Sequence, residues 1–231
     1  MSEVVKLGPE SAAFGIQVGD LIGATLWHGM CLECVDCRSS GPNFCTKMKV
    51  KGITVPGYFC EYTLVDPAGA VVIKPGENVN IAGLAPIFCA GVTVWDAIER
   101  AQLRVGETLA VVGAGGLGRI ATRYAQALGQ KVIVLDVRDE SLIACKDEGI
   151  ADEILNTTGL DARAVAGKVI SLNGGRGVDV AIVTAGATEA YATAQAILKP
   201  EGKLIAVGLP REPVPINMTI FTHRCLRLVL L

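Results

Sequence analysis

Cys31, Cys34 and Cys37 stand at intervals of three, and Cys45 follows eight positions later. Thiolates are soft ligands, and CxxC spacing lets one turn present two sulfurs to a single ion, so the run reads as a tetrahedral zinc site. Four sulfurs close the coordination shell and leave no position for water or substrate, which makes such a site structural. Two other chemistries compete for the same residues. Disulfides belong to oxidising compartments and would be strained between adjacent CxxC pairs. An iron–sulfur cluster also takes four cysteines, but the proline that often follows such a run is absent here.

A second signature is Gly113-Ala-Gly115-Gly116-Leu117-Gly118, placed between the apolar run Thr108–Val112 and the helical stretch 119–128. Glycines in a G-x-G-x-x-G pattern can mark tight packing alone, but a strand before and a helix after are what a dinucleotide loop requires. The first glycine permits the turn, the second admits a pyrophosphate, and the third lets the helix press on the strand. The helix N-terminus then offers N–H groups and partial positive charge to the phosphates. Eighteen residues after Gly118, the run Lys131–Leu135 ends on Asp136, where a carboxylate accepts ribose hydroxyls and repels a 2′-phosphate. NAD is therefore expected over NADP, with Arg138 nearby softening the repulsion. Val207, at the end of a later strand, completes the candidate nucleotide-binding set.

The elements that must position these groups follow from composition and periodicity. Apolar residues make up 51% of 231 and charged residues 19%, against about a quarter charged in an average domain, which points to strands buried on both faces. From Met1 to about Ala85, short β-branched segments are punctuated by glycine and proline; the stretch before Gly19, Leu21–Leu26 and Tyr58–Val65 are strand candidates. Beyond Pro86, strands at 108–112, 131–135, 178–184 and 203–207 alternate with helices at 89–101, 116–128, 140–147, 162–172 and 187–198, with a further short strand at 152–155. That alternation is the mark of βαβ units and a parallel sheet. Division into 1–88 and 89–231 is expected.

A net charge of −2 provides no footprint for nucleic acid, and no apolar run approaches the roughly 18 residues that cross a bilayer. Residues 1–15 lack the core of a signal peptide, so a cytoplasmic location with reduced cysteines is expected. Cys60, Cys145 and Cys225 have no partner at ligand spacing and read as buried thiols. His28 and His223, the two histidines, read as packed or surface residues, and Asp96 with Glu99 as a solvated helix face.

With the cysteine run and the fingerprint in this order, the chain resembles the zinc-containing alcohol dehydrogenases of the medium-chain dehydrogenase/reductase family. The resemblance runs from about Val4 to about Leu209 and includes Gly19-Asp20, Glu61-Tyr62 and Phe88-Cys89-Ala-Gly91-Val-Thr93. It implies an α/β fold: a partial GroES-like β-barrel with a four-cysteine zinc lobe, followed by a doubly wound Rossmann domain carrying NAD. It implies hydride transfer between NAD and an alcohol or carbonyl substrate. Cys89 matches one of three ligands of the family's catalytic zinc. The family's Gly-His-Glu histidine and its other cysteine have no counterpart, and a Gly-His-Glu would fall upstream of Val4. The last residues, Cys225–Leu231, are an apolar run of the kind that continues, and the segment that returns to the barrel would follow it. Ser141 stands where ethanol-oxidising relatives place a lysine near the ribose. A chain that binds NAD and one zinc without turning over alcohols is the expectation, with missing barrel strands favouring self-association. The alternative is a non-catalytic NAD- and zinc-binding fragment or degenerate paralogue. A zinc-free quinone reductase of the same fold is disfavoured by the complete cysteine quartet.

Overall fold

Short β-branched segments separated by glycine and proline can form only short strands, and the first of two compact units, Met1–Cys89, is built from them. The computed structural model describes all residues except Glu10, Pro75, Glu77 and Asn78. In this unit β1 (Ser2–Glu3), β2 (Leu21–Ala24) and β5 (Ala70–Val72) form an antiparallel sheet in the order β1-β2-β5. Val4, Ile16 and Ile22 are buried there against Leu7, Val65 and Val72. A separate two-stranded ladder pairs β3 (Trp27–His28) with β4 (Lys49–Val50), and the short helix α1 (Val35–Ser39) lies in the excursion between them.

Two expected strands do not form. The stretch before Gly19 contains a 3₁₀ turn over Ser11–Phe14. Tyr58–Val65 runs through bends, with Phe59, Tyr62 and Leu64 exposed and only Val65 packed against the core. Aromatic and β-branched residues favour strands because they fit a pleated, half-buried surface, and among the described residues this stretch has no ladder to join.

The second unit, Ala90–Leu231, opens with α2 (Ala90–Ala101). There follow β6 (Thr108–Val112), α3 (Gly116–Ala127), β7 (Lys131–Asp136), α4 (Asp139–Asp147), β8 (Glu153–Asn156), α5 (Ala162–Leu172), β9 (Val178–Val183), α6 (Thr188–Ile197), β10 (Leu198–Ala206), α7 (Met218–Arg224) and β11 (Arg227–Leu230). All six strands are parallel, in the order β11-β10-β9-β6-β7-β8. Every residue of β6 is buried. Leu109 and Val111 join one core with Val94 and Ala97 of α2 and Ala121 of α3; Ala110 and Val112 join another with Val165 of α5 and Ala194 of α6. This is the two-sided burial that the composition calls for.

The terminal run Cys225–Leu231 supplies an edge strand, with Lys203 to Ala206 of β10 registered against Arg227 to Leu230. From β6 the chain builds outward through β7 and β8. It then crosses back to lay β9, β10 and β11 on the other side of β6. The reversal creates a crevice at the carboxyl ends of β6 and β9, where open α/β sheets bind ligands.

Candidate functional site

The loop leaving β6 lies at that reversal. Gly113 has φ +109°, which disfavours any side chain, and its N–H donates to Leu135 O at 2.7 Å. A Cβ on Gly118 would stand 1.7 Å from Gly113 O, so the third glycine lets α3 lie against the strand. At Gly115 a Cβ would meet nothing nearer than 3.8 Å, and at Gly116 nothing within 4 Å. Gly116 faces open space, and Gly115 faces the end of the Arg138 side chain at ordinary contact distance. α3 begins without a side-chain cap, and among the described residues the N–H groups of Gly115, Gly116, Leu117 and Gly118 have no hydrogen-bond partner. Unpaired N–H groups at the start of a twelve-residue helix, reached past bare glycine backbone, make a cradle for a phosphate-bearing anion.

Asp136 ends β7 beside this loop, with its side chain only 8% exposed. Its Oδ2 accepts the Ala114 N–H at 2.6 Å. Its Oδ1 accepts the Arg138 N–H at 2.9 Å and faces Arg138 Nε at 3.5 Å. The carboxylate therefore holds the fingerprint loop as well as facing the crevice, and the exposed Arg138 guanidinium partly neutralises it. Val207 follows β10 at the same edge, its N–H donating to Val183 O at 3.0 Å.

Two contributors were not foreseen. Thr184, just past β9, donates its hydroxyl to Gly113 O at 2.8 Å and pins the fingerprint from the far side of the reversal. Gly208 allows the loop after β10 to pass where a Cβ would sit 2.2 Å from Ala185 O, and its carbonyl accepts the Tyr191 hydroxyl. The Thr-Ala-Gly that ends the apolar run at 178–183 was the available signal.

In the first unit, the sulfurs of Cys31, Cys34, Cys37 and Cys45 lie within 4.8 Å of one another. Cys31 Sγ is 3.9 Å from Cys37 Sγ and 3.6 Å from Cys45 Sγ. Tetrahedral zinc with bonds of about 2.3 Å requires sulfur separations of roughly 3.8 Å, so the cluster fits. Leu32 takes φ +58° to turn the chain between the first two cysteines. Cys34 caps α1 by accepting the Cys37 N–H, and the Cys31 N–H points at Cys45 Sγ at 3.4 Å. The N–H groups of Glu33 and Cys34 lower the Cys31 pKa to about 6. Burial, then the Cys34 and Cys45 sulfurs, raise Cys37 to about 12. Thiolates crowded this closely ionise together only around a cation. His28 stands in β3 outside the sulfur cluster.

Cys89, at the end of a 3₁₀ segment over Ala82–Phe88, is exposed and lines an apolar cavity of about 290 Å³ with Ile22, Leu26, Tyr58 and Phe88. Gly23 makes room for that wall, since a Cβ there would enter the Phe88 ring. Among the described residues, the cysteine quartet is the only group of three or more His, Cys, Asp or Glu side chains with metal-ligand geometry. Cys60 and Cys225, expected to be buried, are exposed, each donating weakly to a carbonyl within its own turn; Cys145 is fully buried. No single helix among the described residues is long and apolar enough to cross a membrane.

Residues 1–76 match the alcohol dehydrogenase GroES-like domain and residues 116–229 the zinc-binding dehydrogenase family. An alcohol dehydrogenase of Geobacillus stearothermophilus is 34% identical over 201 residues, covering 87% of this chain and 57% of the relative. The chain thus spans little more than half the length of that relative. The alcohol dehydrogenase of the archaeon Aeropyrum pernix shares the fold, with a TM-score of 0.86 at 24% identity over 99% of this chain and 65% of its own. A Sinorhizobium meliloti protein whose structure holds NADP superposes with a TM-score of 0.84 at 27% identity, covering 99% of this chain and 65% of its own.

Proposed function

The chain belongs to the zinc-containing alcohol dehydrogenase family, and from that premise we propose that it serves NAD-dependent oxidation of alcohols to aldehydes or ketones. The observation that carries this reading is the cradle: N–H groups at Gly115 to Gly118 unpartnered among the described residues, open space at Gly116, and Asp136 at the end of the next strand. NAD, when bound, supplies the hydride acceptor. Gly115–Gly118 hold the pyrophosphate through backbone N–H groups, and Asp136 takes the adenosine ribose hydroxyls with whatever capacity its bonds to Ala114 and Arg138 leave. Val207 lines the same edge. Cys31, Cys34, Cys37 and Cys45 hold a zinc that braces the lobe. Cys89 is the residue of this chain that matches the family's catalytic zinc ligands, and its position on an apolar cavity wall suits an alcohol's carbon chain.

A second reading, a coenzyme- and zinc-binding protein without turnover, is favoured by the single metal-ligand cluster among the described residues. The two separate at 340 nm. NADH formation from primary and secondary alcohols above a Cys89→Ala control supports the first reading; NADH binding without turnover supports the second. Absence of NADH binding overturns both.

Coenzyme choice has its own test. NADH is expected to bind more tightly than NADPH, with Asp136→Ala narrowing the gap. Arg138→Gln should widen it, weakening NADPH by about fivefold because the exposed cation that tolerates a 2′-phosphate is gone. Fluorescence titrations of both coenzymes measure this, and equal affinities in the unaltered chain would refute the preference.

A further inference from the structure

At the edge of the sheet opposite the fingerprint, the amino ends of β9, β10 and β11 and the turn between α2 and β6 enclose a cavity of about 320 Å³. Four cations line it, and Lys199 is matched by Asp179, whose second oxygen accepts the Thr108 N–H at 2.7 Å. The other three have no carboxylate partner among the described residues. The Lys203 ammonium donates to the Ala101 carbonyl at 2.6 Å, while the guanidinium groups of Arg104 and Arg227 make no hydrogen bond there. Lys203 and Arg227 are register partners on neighbouring parallel strands, so their side chains leave one face side by side. Like charges so placed destabilise a sheet. Burial, with Arg227 next, holds the Lys203 pKa below its ordinary value. With Lys199 matched by Asp179, the cavity sets Arg104, Lys203 and Arg227 against the carboxylates of Glu107 and Glu201, a lining with positive charge in excess that suits one small anion.

We propose that this cavity binds one phosphate-type anion through Arg227, Lys203 and Arg104. Two carboxylates limit its size. Glu107, which accepts the Arg104 backbone N–H at 2.8 Å, and Glu201, exposed on a left-handed turn at φ +63°, both line the cavity. They disfavour extended polyanions and leave room for inorganic phosphate or a small phosphomonoester. The site is separate from the coenzyme cradle and stands whether or not the chain binds NAD.

The test is calorimetric titration of the full chain with inorganic phosphate and, separately, glycerol phosphate, at constant ionic strength in a phosphate-free buffer. Binding is expected, with Arg227→Gln weakening it about tenfold through loss of a charge-assisted hydrogen bond. Arg104→Gln is expected to act in the same direction, and both arginines are exposed enough for the variants to fold. Tighter binding of the monoester identifies a phosphorylated metabolite as the ligand, and tighter binding of phosphate identifies the free ion. Affinity unchanged in both variants places the anion at the start of α3 instead and overturns the proposal, as does no binding at millimolar phosphate.

Discussion

Gly118→Ala is expected to unfold or severely loosen the coenzyme-binding unit, whereas Gly116→Ala, two residues away, leaves it intact. A methyl at Gly118 would lie 1.7 Å from Gly113 O and 3.0 Å from Thr184 Oγ1. Neither neighbour is the end of a flexible chain: the carbonyl belongs to the turn, and the hydroxyl is bonded to it. Relief requires α3 to move off β6, where Ala121 and Ala125 are completely buried. Overpacking of this kind costs about 1–3 kcal/mol or more. At Gly116 a methyl meets nothing within 4 Å, and alanine in place of a helical glycine stabilises by about 0.4–1 kcal/mol. If that empty space is where the pyrophosphate lies, Gly116→Ala still weakens NADH binding about tenfold or more while its melting temperature holds or rises. Thermal denaturation beside NADH titration separates the two effects. A Gly116→Ala protein that binds NADH normally would show that the cradle serves no nucleotide.

The second large effect is expected at the sulfur cluster. The freshly reduced protein should carry one zinc per chain, and Cys45→Ser should lose it. Cys45 is the most buried of the four and receives the Cys31 N–H, so an alcohol there removes a ligand and disturbs the turn that presents another. Structural zinc contributes on the order of 10 kcal/mol in small lobes, far more than the few apolar contacts of residues 29–48 supply. Chelation or Cys45→Ser should therefore open that excursion to protease, with cleavage confined between Trp27 and Val50. NADH binding, which rests on Ala90–Leu231, should survive. A metal content of zero in the unaltered chain, or an unchanged cleavage pattern after chelation, contradicts the assignment.

The glycine fingerprint and the cysteine quartet were readable because each signal is local, a fixed spacing imposed by one turn, and Asp136 because it ends the strand that follows the helix opened by the fingerprint. The alternation of strand and helix was equally plain, since five consecutive buried residues in β6 leave no polar face to obscure it. What escaped notice depends on pairing between distant segments. Thr184 meets Gly113 across 71 positions, and only the return of the chain beside β6 brings them together. The bond from Ala114 to Asp136, which adds a brace for the loop to the role expected of that carboxylate, likewise requires β6 and β7 in register. Lys203 and Arg227 become neighbours only once β11 is laid against β10. Tyr58–Val65 failed for the converse reason: its residue types suit a strand, but a strand needs a partner.

The crossing back of the chain after β8 also orders events in time. The cysteine excursion closes between Trp27 and Val50, a short separation, so it can take its metal soon after those residues leave the ribosome. Leu109 of β6 instead pairs with Val180 of β9, which at about 5–20 residues per second emerges roughly 4–14 seconds later. Through that interval one edge of a strand that is apolar from Leu109 to Val112 stands uncovered beside a half-built sheet, and loop-closure entropy slows its eventual pairing. The strand that carries the coenzyme fingerprint is thus the one left longest at risk of joining the wrong neighbour, and the nascent chain is most in need of a chaperone between the synthesis of β8 and that of β9.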